Sequence, residues 1–296
     1  MTGLSVAYSV GAAAWAEGPA RVYQRLAELL VAFSPEPLGG RLVLDLGSGT
    51  GDGSRAALAA GARVIAADLA LGMLQRGRAD RPPATVGDIR QLPFTTGAFD
   101  VVLGAFSLNH LDDPAAGVRE TGRVGNLLVA STYAADDDHP AKAAVEVALH
   151  EVGWERPLWY TPLKTAMAAW GTVPEATAAI ERGGMRPVRV ERREVSYPEL
   201  GPTDMVAWRM GLAQSAPFVE ALDPATRERV FARALEVLGP HPEPIVRRVI
   251  FLAATRLDEQ RQDAADLDAR RQGRRVSKAG RRCRSGGDRR SPERPG

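Results

Sequence analysis

The chain has 296 residues, 45% of them apolar, and a formal net charge of +2 at neutral pH. This length is sufficient for one large α/β core or two small ones. No stretch of the sequence reaches 18 uninterrupted apolar residues, so we expect no membrane-spanning helix. The single cysteine, Cys283, excludes an internal disulfide and a cysteine-ligated metal cluster.

The first elements are predicted to be helical. The apolar segment 4–16 has no Lys or Arg before it, so we interpret it as an N-terminal lid rather than a signal peptide, and we expect a cytoplasmic protein. Residues 19–33 begin with a proline and place Val22, Leu26 and Leu30 at helical spacing. This helix is expected to pack against a sheet.

The next element is a strand that ends in a glycine-rich turn. Residues 43–51 read Val-Leu-Asp-Leu-Gly-Ser-Gly-Thr-Gly, so glycines stand at positions 47, 49 and 51. Because glycines lack a Cβ atom, this backbone can turn sharply and let a nucleotide approach its peptide groups. Asp45 would repel a pyrophosphate but attract the cationic α-amino group of an amino-acid-bearing cofactor. The turn therefore indicates S-adenosylmethionine.

Three further segments follow at the spacing that this cofactor requires. Residues 63–67 form a second apolar strand that ends at Asp68, where a carboxylate can accept both hydroxyls of an adenosine ribose. Asp88 follows a third short strand and is placed to accept a hydrogen bond from the adenine amino group. Residues 99–106 form a fourth strand. The alternation of strands with helices at 52–60, 70–79 and 113–123 predicts a parallel sheet with right-handed crossovers.

Together, the four segments resemble the class I S-adenosylmethionine-dependent methyltransferases, in the branch of small-molecule methyltransferases. The resemblance covers residues 20–131 well. It implies an α/β fold with a Rossmann-like, doubly wound, mostly parallel seven-stranded sheet and helical lid insertions. It also implies eight cofactor-binding residues: Asp45 at the methionyl amino group, Gly47, Gly49 and Gly51 along the cofactor, Asp68 at the ribose, Asp88 and Ile89 at the adenine, and Ala105 at the methionyl end.

The strand and helix alternation stops after a fifth strand, predicted at 126–131. We predict one methyltransferase domain at 1–257, with lid insertions at about 132–172 and 197–240. Its later elements are a helix at 174–183, a strand at 186–196, helices at 203–214 and 224–238, and an antiparallel last strand at 245–255.

The C-terminal segment 258–296 is predicted to be a basic, disordered tail. Within it, residues 269–296 hold 11 Lys and Arg against Asp288 and Glu293, so the rest of the chain is acidic overall. No aromatic residue lies between these arginines, so we expect no nucleic-acid partner. The sequence does not predict an oligomeric state.

Four of the five tryptophans lie outside the minimal fold, at Trp154, Trp159, Trp170 and Trp208. They either form the wall of a pocket for an apolar or aromatic acceptor, or they form the small core of the lid. The two interpretations are compatible, and the sequence does not choose between them.

Two histidines are candidates for catalysis. His110 follows the fourth strand, where the resemblance implies substrate-facing groups, so it could orient or deprotonate the acceptor. His139, beside three aspartates, is the second candidate, and an exposed helix cap is its other interpretation. Because adjacent side chains rarely converge on one ion, we predict no metal site at these aspartates.

Competing functions fit the glycine-rich turn less well. A phosphate-binding NTPase loop needs a lysine that residues 51–54 lack, and an NAD dehydrogenase would space its glycines more widely. The prediction is methyl transfer from S-adenosylmethionine to a small apolar or aromatic metabolite. Two alternatives stay open: a nucleic-acid methyltransferase that uses the basic tail, and a non-catalytic S-adenosylmethionine-binding protein.

Overall fold

The structure, a computed structural model, describes residues 3–76, 78 and 81–257. The tail predicted at 258–296 therefore lies outside the described residues. The strands are β1 (Leu42–Leu46), β2 (Arg63–Asp68), β3 (Ala84–Val86), β4 (Phe99–Ala105), β5 (Gly125–Tyr133), β6 (Met185–Tyr197) and β7 (Ile245–Arg256). They form a seven-stranded sheet in the order β3-β2-β1-β4-β5-β7-β6.

Strand β1 lies at the point where the strand order reverses. It pairs in parallel with β2 on one side and with β4 on the other, which leaves a crevice outside its carboxyl end. Strand β7 runs antiparallel to both β5 and β6. The predicted Rossmann-like, mostly parallel sheet is confirmed, and so is its antiparallel last strand.

Helices cover both faces of the sheet because its central strands are apolar on both sides. Val43 packs with Leu26 on one face, whereas Leu44 packs with Val118 and Ile180 on the other. The helices are α1 (Gly3–Val10), α2 (Ala12–Glu17), α3 (Ala20–Phe33), α4 (Asp52–Ala59), α5 (Leu71–Gln75), α6 (Pro114–Val124), α7 (Ala141–His150), α8 (Tyr160–Ala168), α9 (Val173–Arg182), α10 (Pro202–Met210), α11 (Ala216–Ala221) and α12 (Pro224–Leu238).

Three helical segments lie outside the minimal fold. They are α1 and α2 at the N-terminus, α7 and α8 after β5, and α10 to α12 between β6 and β7. Helices α7, α10 and α12 share a core around Trp154, Val206 and Val230. Helices α7 and α8 fall within the range 132–172, and α10 to α12 fall within 197–240, the two ranges for which lid insertions are predicted. No described helix is both long and apolar enough to cross a membrane.

Two helix boundaries differ from the sequence prediction. Helix α5 ends at Gln75, because Arg76 has an extended backbone, with φ of −68° and ψ of 125°. The Arg81 guanidinium donates to the Met73 carbonyl of α5 at 3.0 Å. Helix α10 ends before Gly211, where a Cβ would lie 2.6 Å from the Ala14 carbonyl oxygen of α2. The separate helix α11 that follows was not predicted.

Candidate functional site

A cavity of about 450 Å³ opens at the carboxyl ends of β1, β2 and β4. The turn after β1, the end of β2, the segment after β3 and the end of β4 form one side of it. Side chains from α1, α2, α8 and α10 form the other side. The sheet edge and the lid helices therefore enclose one site at the switch point of the sheet, where ligands of this architecture bind.

The glycine-rich turn brings its backbone to the cavity at Gly47 and Gly49. Both residues have left-handed backbones, with φ of 68° and 51°. A Cβ at Gly47 would lie 2.3 Å from the Ser107 Cβ, so only glycine lets the turn pack against the end of β4. A Cβ at Gly49 would meet no atom within 4 Å, which leaves room for a ligand.

Asp68 stands at the end of β2 and lines the cavity. Its two carboxylate oxygens accept hydrogen bonds from the backbone N–H groups of Gly49 and Ala70, both at 2.8 Å. Burial raises the pKa of Asp68, and the two N–H donors oppose that shift. The carboxylate is therefore held in one orientation at the edge of the turn.

Asp45 and Gly51 do not line the cavity. The Asp45 carboxylate is buried beneath the turn, where it accepts a hydrogen bond from the Ser54 hydroxyl at 2.6 Å. Burial raises the pKa of Asp45 to about 6. A Cβ at Gly53 would lie 2.7 Å from an Asp45 oxygen, and Gly51 is the N-terminal cap of α4. Both residues hold the start of α4, and their cofactor contacts stay a prediction.

Arg81 belongs to the site although the sequence analysis missed it. Its guanidinium donates to the Ser48 hydroxyl at 3.0 Å and to the Gly49 carbonyl at 3.3 Å. Its positive charge also opposes the rise in the pKa of Asp45 and Asp68 that burial causes. No motif marks Arg81, so only the folded chain shows that it supports the turn.

Asp88 and Ile89 line the cavity after β3. The Asp88 carboxylate accepts a hydrogen bond from the Arg90 guanidinium at 2.6 Å and another from the Arg90 backbone N–H at 2.9 Å. These contacts lower the pKa of Asp88. Its charge is therefore already paired within the chain.

The end of β4 carries an aromatic wall. Ala105 and Phe106 both line the cavity, and Phe106 has a left-handed backbone with φ of 54°, which few non-glycine residues adopt. The Phe106 ring packs against Tyr23 and Tyr133, at centroid distances of 5.4 and 4.6 Å. The hydroxyls of Tyr23 and Tyr133 form a hydrogen bond with each other. Burial raises the pKa of Tyr23 to about 12, so its phenol is neutral.

His110 is part of the short 3-10 helix Leu108–His110 that follows β4, and it lines the cavity. Its ring centroid lies 5.8 Å from that of Tyr8 in α1. Burial lowers the pKa of His110 to about 4, so the imidazole is neutral at pH 7. Neither ring nitrogen makes a hydrogen bond with another described residue, so both are available to a ligand.

His139 also lines the cavity, but it is buried rather than exposed. Its Nδ1 accepts a hydrogen bond from the Ala141 N–H at 3.1 Å, so its Nε2 donates to the Glu243 carbonyl at 3.0 Å. His139 therefore acts as a cap of α7, and both ring nitrogens are engaged. In the described part of the chain, no group of three or more His, Cys, Asp or Glu is placed to hold a metal ion.

The four tryptophans outside the minimal fold do not share one role: two line the cavity, and two are buried in packed cores. Trp159 and Trp208 line the cavity. Trp154 is buried in the lid core, and Trp170 is buried in the core between the sheet and α9. The cavity wall also contains Trp15 from the N-terminal lid, which the sequence analysis did not select.

Similarity to known proteins identifies the family. A family model described as a methyltransferase domain matches residues 44–126. A demethylmenaquinone methyltransferase from Mycolicibacterium vanbaalenii is 32% identical over 182 residues, which cover 58% of this chain and 78% of that protein. The chain belongs to the class I S-adenosylmethionine-dependent methyltransferases.

Two further comparisons define the extent of the similarity. The demethylmenaquinone methyltransferase from Mycolicibacterium gilvum is 37% identical to this methyltransferase over 116 residues, so the match spans about half of that relative, 49%. The crystal structure of a putative methyltransferase from an antibiotic biosynthesis pathway of Anabaena variabilis superposes with a TM-score of 0.53 at 16% identity, over 77% of this chain and 96% of that chain. At this identity, the structural similarity shows the fold alone.

The cavity of this methyltransferase fits S-adenosylmethionine, which carries a sulfonium and an ammonium group. The Ser107 hydroxyl is buried at the cavity wall without a hydrogen-bond partner among the described residues. In the same cavity, Gly49 leaves open space, and its N–H is bonded to Asp68. An unpartnered hydroxyl, exposed backbone and a carboxylate are the groups that an adenosine and a cationic amino acid require.

Proposed function

We propose that this methyltransferase transfers the methyl group of S-adenosylmethionine to a small aromatic acceptor. The observation that carries the proposal is the aromatic wall of Tyr23, Phe106 and Tyr133, which lies in the same cavity as the glycine-rich turn and Asp68. Aromatic side chains offer wide apolar surfaces against which a planar ring packs. The cofactor and the type of reaction follow from the family, whereas the acceptor class is our inference.

The cofactor end of the cavity supports the following assignments, which stay proposals: Gly47 and Gly49 along the cofactor, Asp68 at the ribose hydroxyls, Asp88 and Ile89 at the adenine, and Ala105 at the methionyl end. Each Asp68 oxygen keeps a lone pair after accepting its backbone N–H, so it can still accept a hydroxyl. Asp45 and Gly51 would support the glycine-rich turn from the side away from the cavity, because they fix the start of α4.

The cofactor supplies a methyl group that is already activated by the positive charge on sulfur. The residues of the chain therefore have to orient the acceptor and exclude water. Phe106 and Tyr133 would hold the acceptor ring. A ring nitrogen of His110 would accept a proton or a hydrogen bond from the acceptor. His139 cannot accept a proton at Nδ1 without losing the hydrogen bond that this nitrogen accepts from the Ala141 N–H.

A second candidate is methylation of a quinol ring. It is favoured by the relatives named demethylmenaquinone methyltransferase, one of which this chain matches over 78% of its length. The aromatic wall suits a quinol as well as other aromatic rings. A quinol is itself aromatic, so the two candidates are separated by comparing turnover of quinols with turnover of other hydroxylated aromatic compounds.

Other sequence predictions stay predictions. They are the single domain at 1–257 and the cytoplasmic location. The nucleic-acid alternative depends on the tail at 258–296, outside the described residues, and the family does not favour a non-catalytic protein.

The test is turnover of methyl-labelled S-adenosylmethionine with three groups of acceptors: hydroxylated aromatic acids, quinols and aliphatic amines. We expect labelled product with the aromatic acceptors. Transfer to quinols alone would select the second candidate. Transfer only to aliphatic amines, or to an added oligonucleotide, would contradict the proposal.

A further inference from the structure

Charged side chains line the part of the cavity beneath the lid helices. They are the cations Lys142, Lys164, Arg209 and Arg247 and the carboxylates Asp137 and Asp138. Cations outnumber carboxylates by two among these residues. A partly enclosed pocket with an excess of positive charge attracts anions.

The two carboxylates neutralise two of the four cations. Arg247 is almost fully buried and makes a bidentate ion pair with Asp137, at 2.6 and 3.1 Å. Lys142 pairs with Asp138 at 3.7 Å. Neither carboxylate is therefore left to pair with the remaining cations.

Arg209, at the end of α10, is the partly buried cation that the described residues leave unpaired. None of their carboxylates lies within 4.0 Å of its guanidinium, and its Nε is buried without a hydrogen-bond partner. Burial lowers the pKa of Arg209, and Glu146 opposes that shift without reaching ion-pair distance. The Glu146 carboxylate is instead bound to Arg156 at 3.1 Å. An incompletely paired cation in such a position is unfavourable until an anion reaches it.

We propose that Arg209 binds a carboxylate group of the methyl acceptor, with the Lys164 ammonium as a second cation at the same wall. The planar guanidinium presents parallel N–H donors that match a carboxylate. The acceptor is then an aromatic carboxylic acid. This inference rests on the proposed function and names the substrate class within it.

The wall between the cofactor end and Arg209 is continuous. Phe106 packs on Tyr133, and the Arg247 guanidinium lies 4.7 Å from the ring centroids of both Tyr133 and Trp208. The Arg209 guanidinium then lies 5.3 Å from the Trp208 centroid. A ring lying along this wall would point one end at the cofactor and the other at Arg209. The nucleophilic atom and the carboxylate of the acceptor should therefore stand at opposite ends of the ring.

The test measures binding by calorimetry to the protein saturated with S-adenosylhomocysteine. The probes are 4-hydroxybenzoate, its neutral analogue 4-hydroxybenzamide, and 2-hydroxybenzoate, whose two groups are adjacent. We expect 4-hydroxybenzoate to bind about tenfold or more tightly than either of the others. Arg209→Gln should abolish the preference for the acid over the amide, Arg209→Lys should keep part of it, and Lys164→Gln should reduce it about threefold.

Two control variants separate this role from a structural one. Arg119→Gln removes an exposed cation of α6 and should leave all three affinities unchanged. Glu146→Gln should keep the preference for 4-hydroxybenzoate over 4-hydroxybenzamide. If Arg209 served only to pair with Glu146, the Glu146→Gln variant would lose this preference as Arg209→Gln does. Equal binding of acid and amide, no binding of either, or an intact preference in Arg209→Gln would overturn the inference. Failure of S-adenosylhomocysteine itself to bind would contradict the proposed function instead.

Discussion

The two ends of the cavity carry opposite charge. At the end that we propose for the cofactor (the cofactor end), the charged lining residues are Asp68, Asp88 and Asp112 against Arg90. At the end that we propose for the acceptor (the acceptor end), they are Lys142, Lys164, Arg209 and Arg247 against Asp137 and Asp138. The acidic end suits a cationic cofactor, and the basic end suits an anionic acceptor. Opposed charges would thus orient both reactants before any contact specific to the reaction forms.

The two ends also differ in how the chain builds them. The cofactor end comes from residues 47–112, which follow one another through the parallel half of the sheet. The acceptor end is assembled from α7, α8, α10, the segment between β5 and α7, and β7. Substitutions at the cofactor end should therefore change cofactor affinity, whereas substitutions at the acceptor end should change turnover and selectivity alone.

His110 lines the cavity after β4 and is assigned to the acceptor although it falls within 47–112, and its removal should have the largest effect. In His110→Ala, turnover should fall by about 10²-fold or more, while S-adenosylmethionine affinity stays nearly constant, because the interaction lost is with the acceptor. Since the pKa of His110 is lowered to about 4, its titration should give no inflection in turnover between pH 5 and 8. Steady-state kinetics and calorimetry on one preparation measure both quantities.

The exposed His241 provides the matched control. His241→Ala removes an imidazole of the same chain and should leave turnover unchanged. If His110→Ala instead lowers the melting temperature and keeps full activity per folded molecule, His110 serves packing only.

The burial of Asp45 beneath the glycine-rich turn can be tested by the pH dependence of the free energy of unfolding. Burial raises the pKa of Asp45 to about 6 in the folded protein, whereas an unfolded aspartate titrates near 3.9. Between these values the folded state binds more protons, so the Asp45 contribution to the free energy of unfolding falls as pH rises. Asp45→Asn should remove this dependence, and its stability relative to the wild type should rise by about 2–3 kcal/mol from pH 4 to pH 7.

Urea denaturation of the cofactor-free protein at several pH values measures this difference. Ser54→Ala is a second test. The Ser54 hydroxyl lowers the pKa of Asp45, so its loss should extend the pH range in which stability depends on Asp45 to values above 6. A difference between Asp45→Asn and the wild type that does not vary with pH would show that Asp45 titrates normally.

The sequence predicts that Gly47, Asp68 and Asp88 come together, because they belong to motifs at strand ends and the parallel sheet brings such ends to one edge. Their roles toward the cofactor stay predictions. The position of Asp45 follows from strand alternation: it shares a face of β1 with Val43, which packs with Ala57 of α4. The motif alone did not reveal this.

The acceptor end could not be predicted in the same way. Arg209 is one of many arginines in the chain, and nothing in its local sequence marks it. Its significance depends on which carboxylates the folded lid places beside it, and Asp137 pairs with Arg247 from a strand 110 residues later. Such pairings are set by tertiary packing rather than by spacing.

Asp68 should control cofactor affinity alone. Asp68→Ala should weaken S-adenosylmethionine binding about 30-fold, or about 2 kcal/mol, because the ribose loses its charged acceptor and the N–H groups of Gly49 and Ala70 lose their partner. Arg209→Gln should leave the same affinity unchanged. Calorimetry with both variants tests whether the two ends act separately, and a large loss of cofactor affinity in Arg209→Gln would break that separation.

Asp88 should have the smallest effect. Its carboxylate is already paired with Arg90, so Asp88→Ala removes mainly one hydrogen bond to the adenine amino group, worth about 1 kcal/mol or about fivefold in affinity. Arg90→Ala would release the carboxylate and should leave the affinity for S-adenosylmethionine equal or slightly higher. If Arg90→Ala weakens binding more than Asp88→Ala does, the guanidinium rather than the carboxylate contacts the adenine, and the acidic character of the cofactor end would then depend on Asp68 and Asp112.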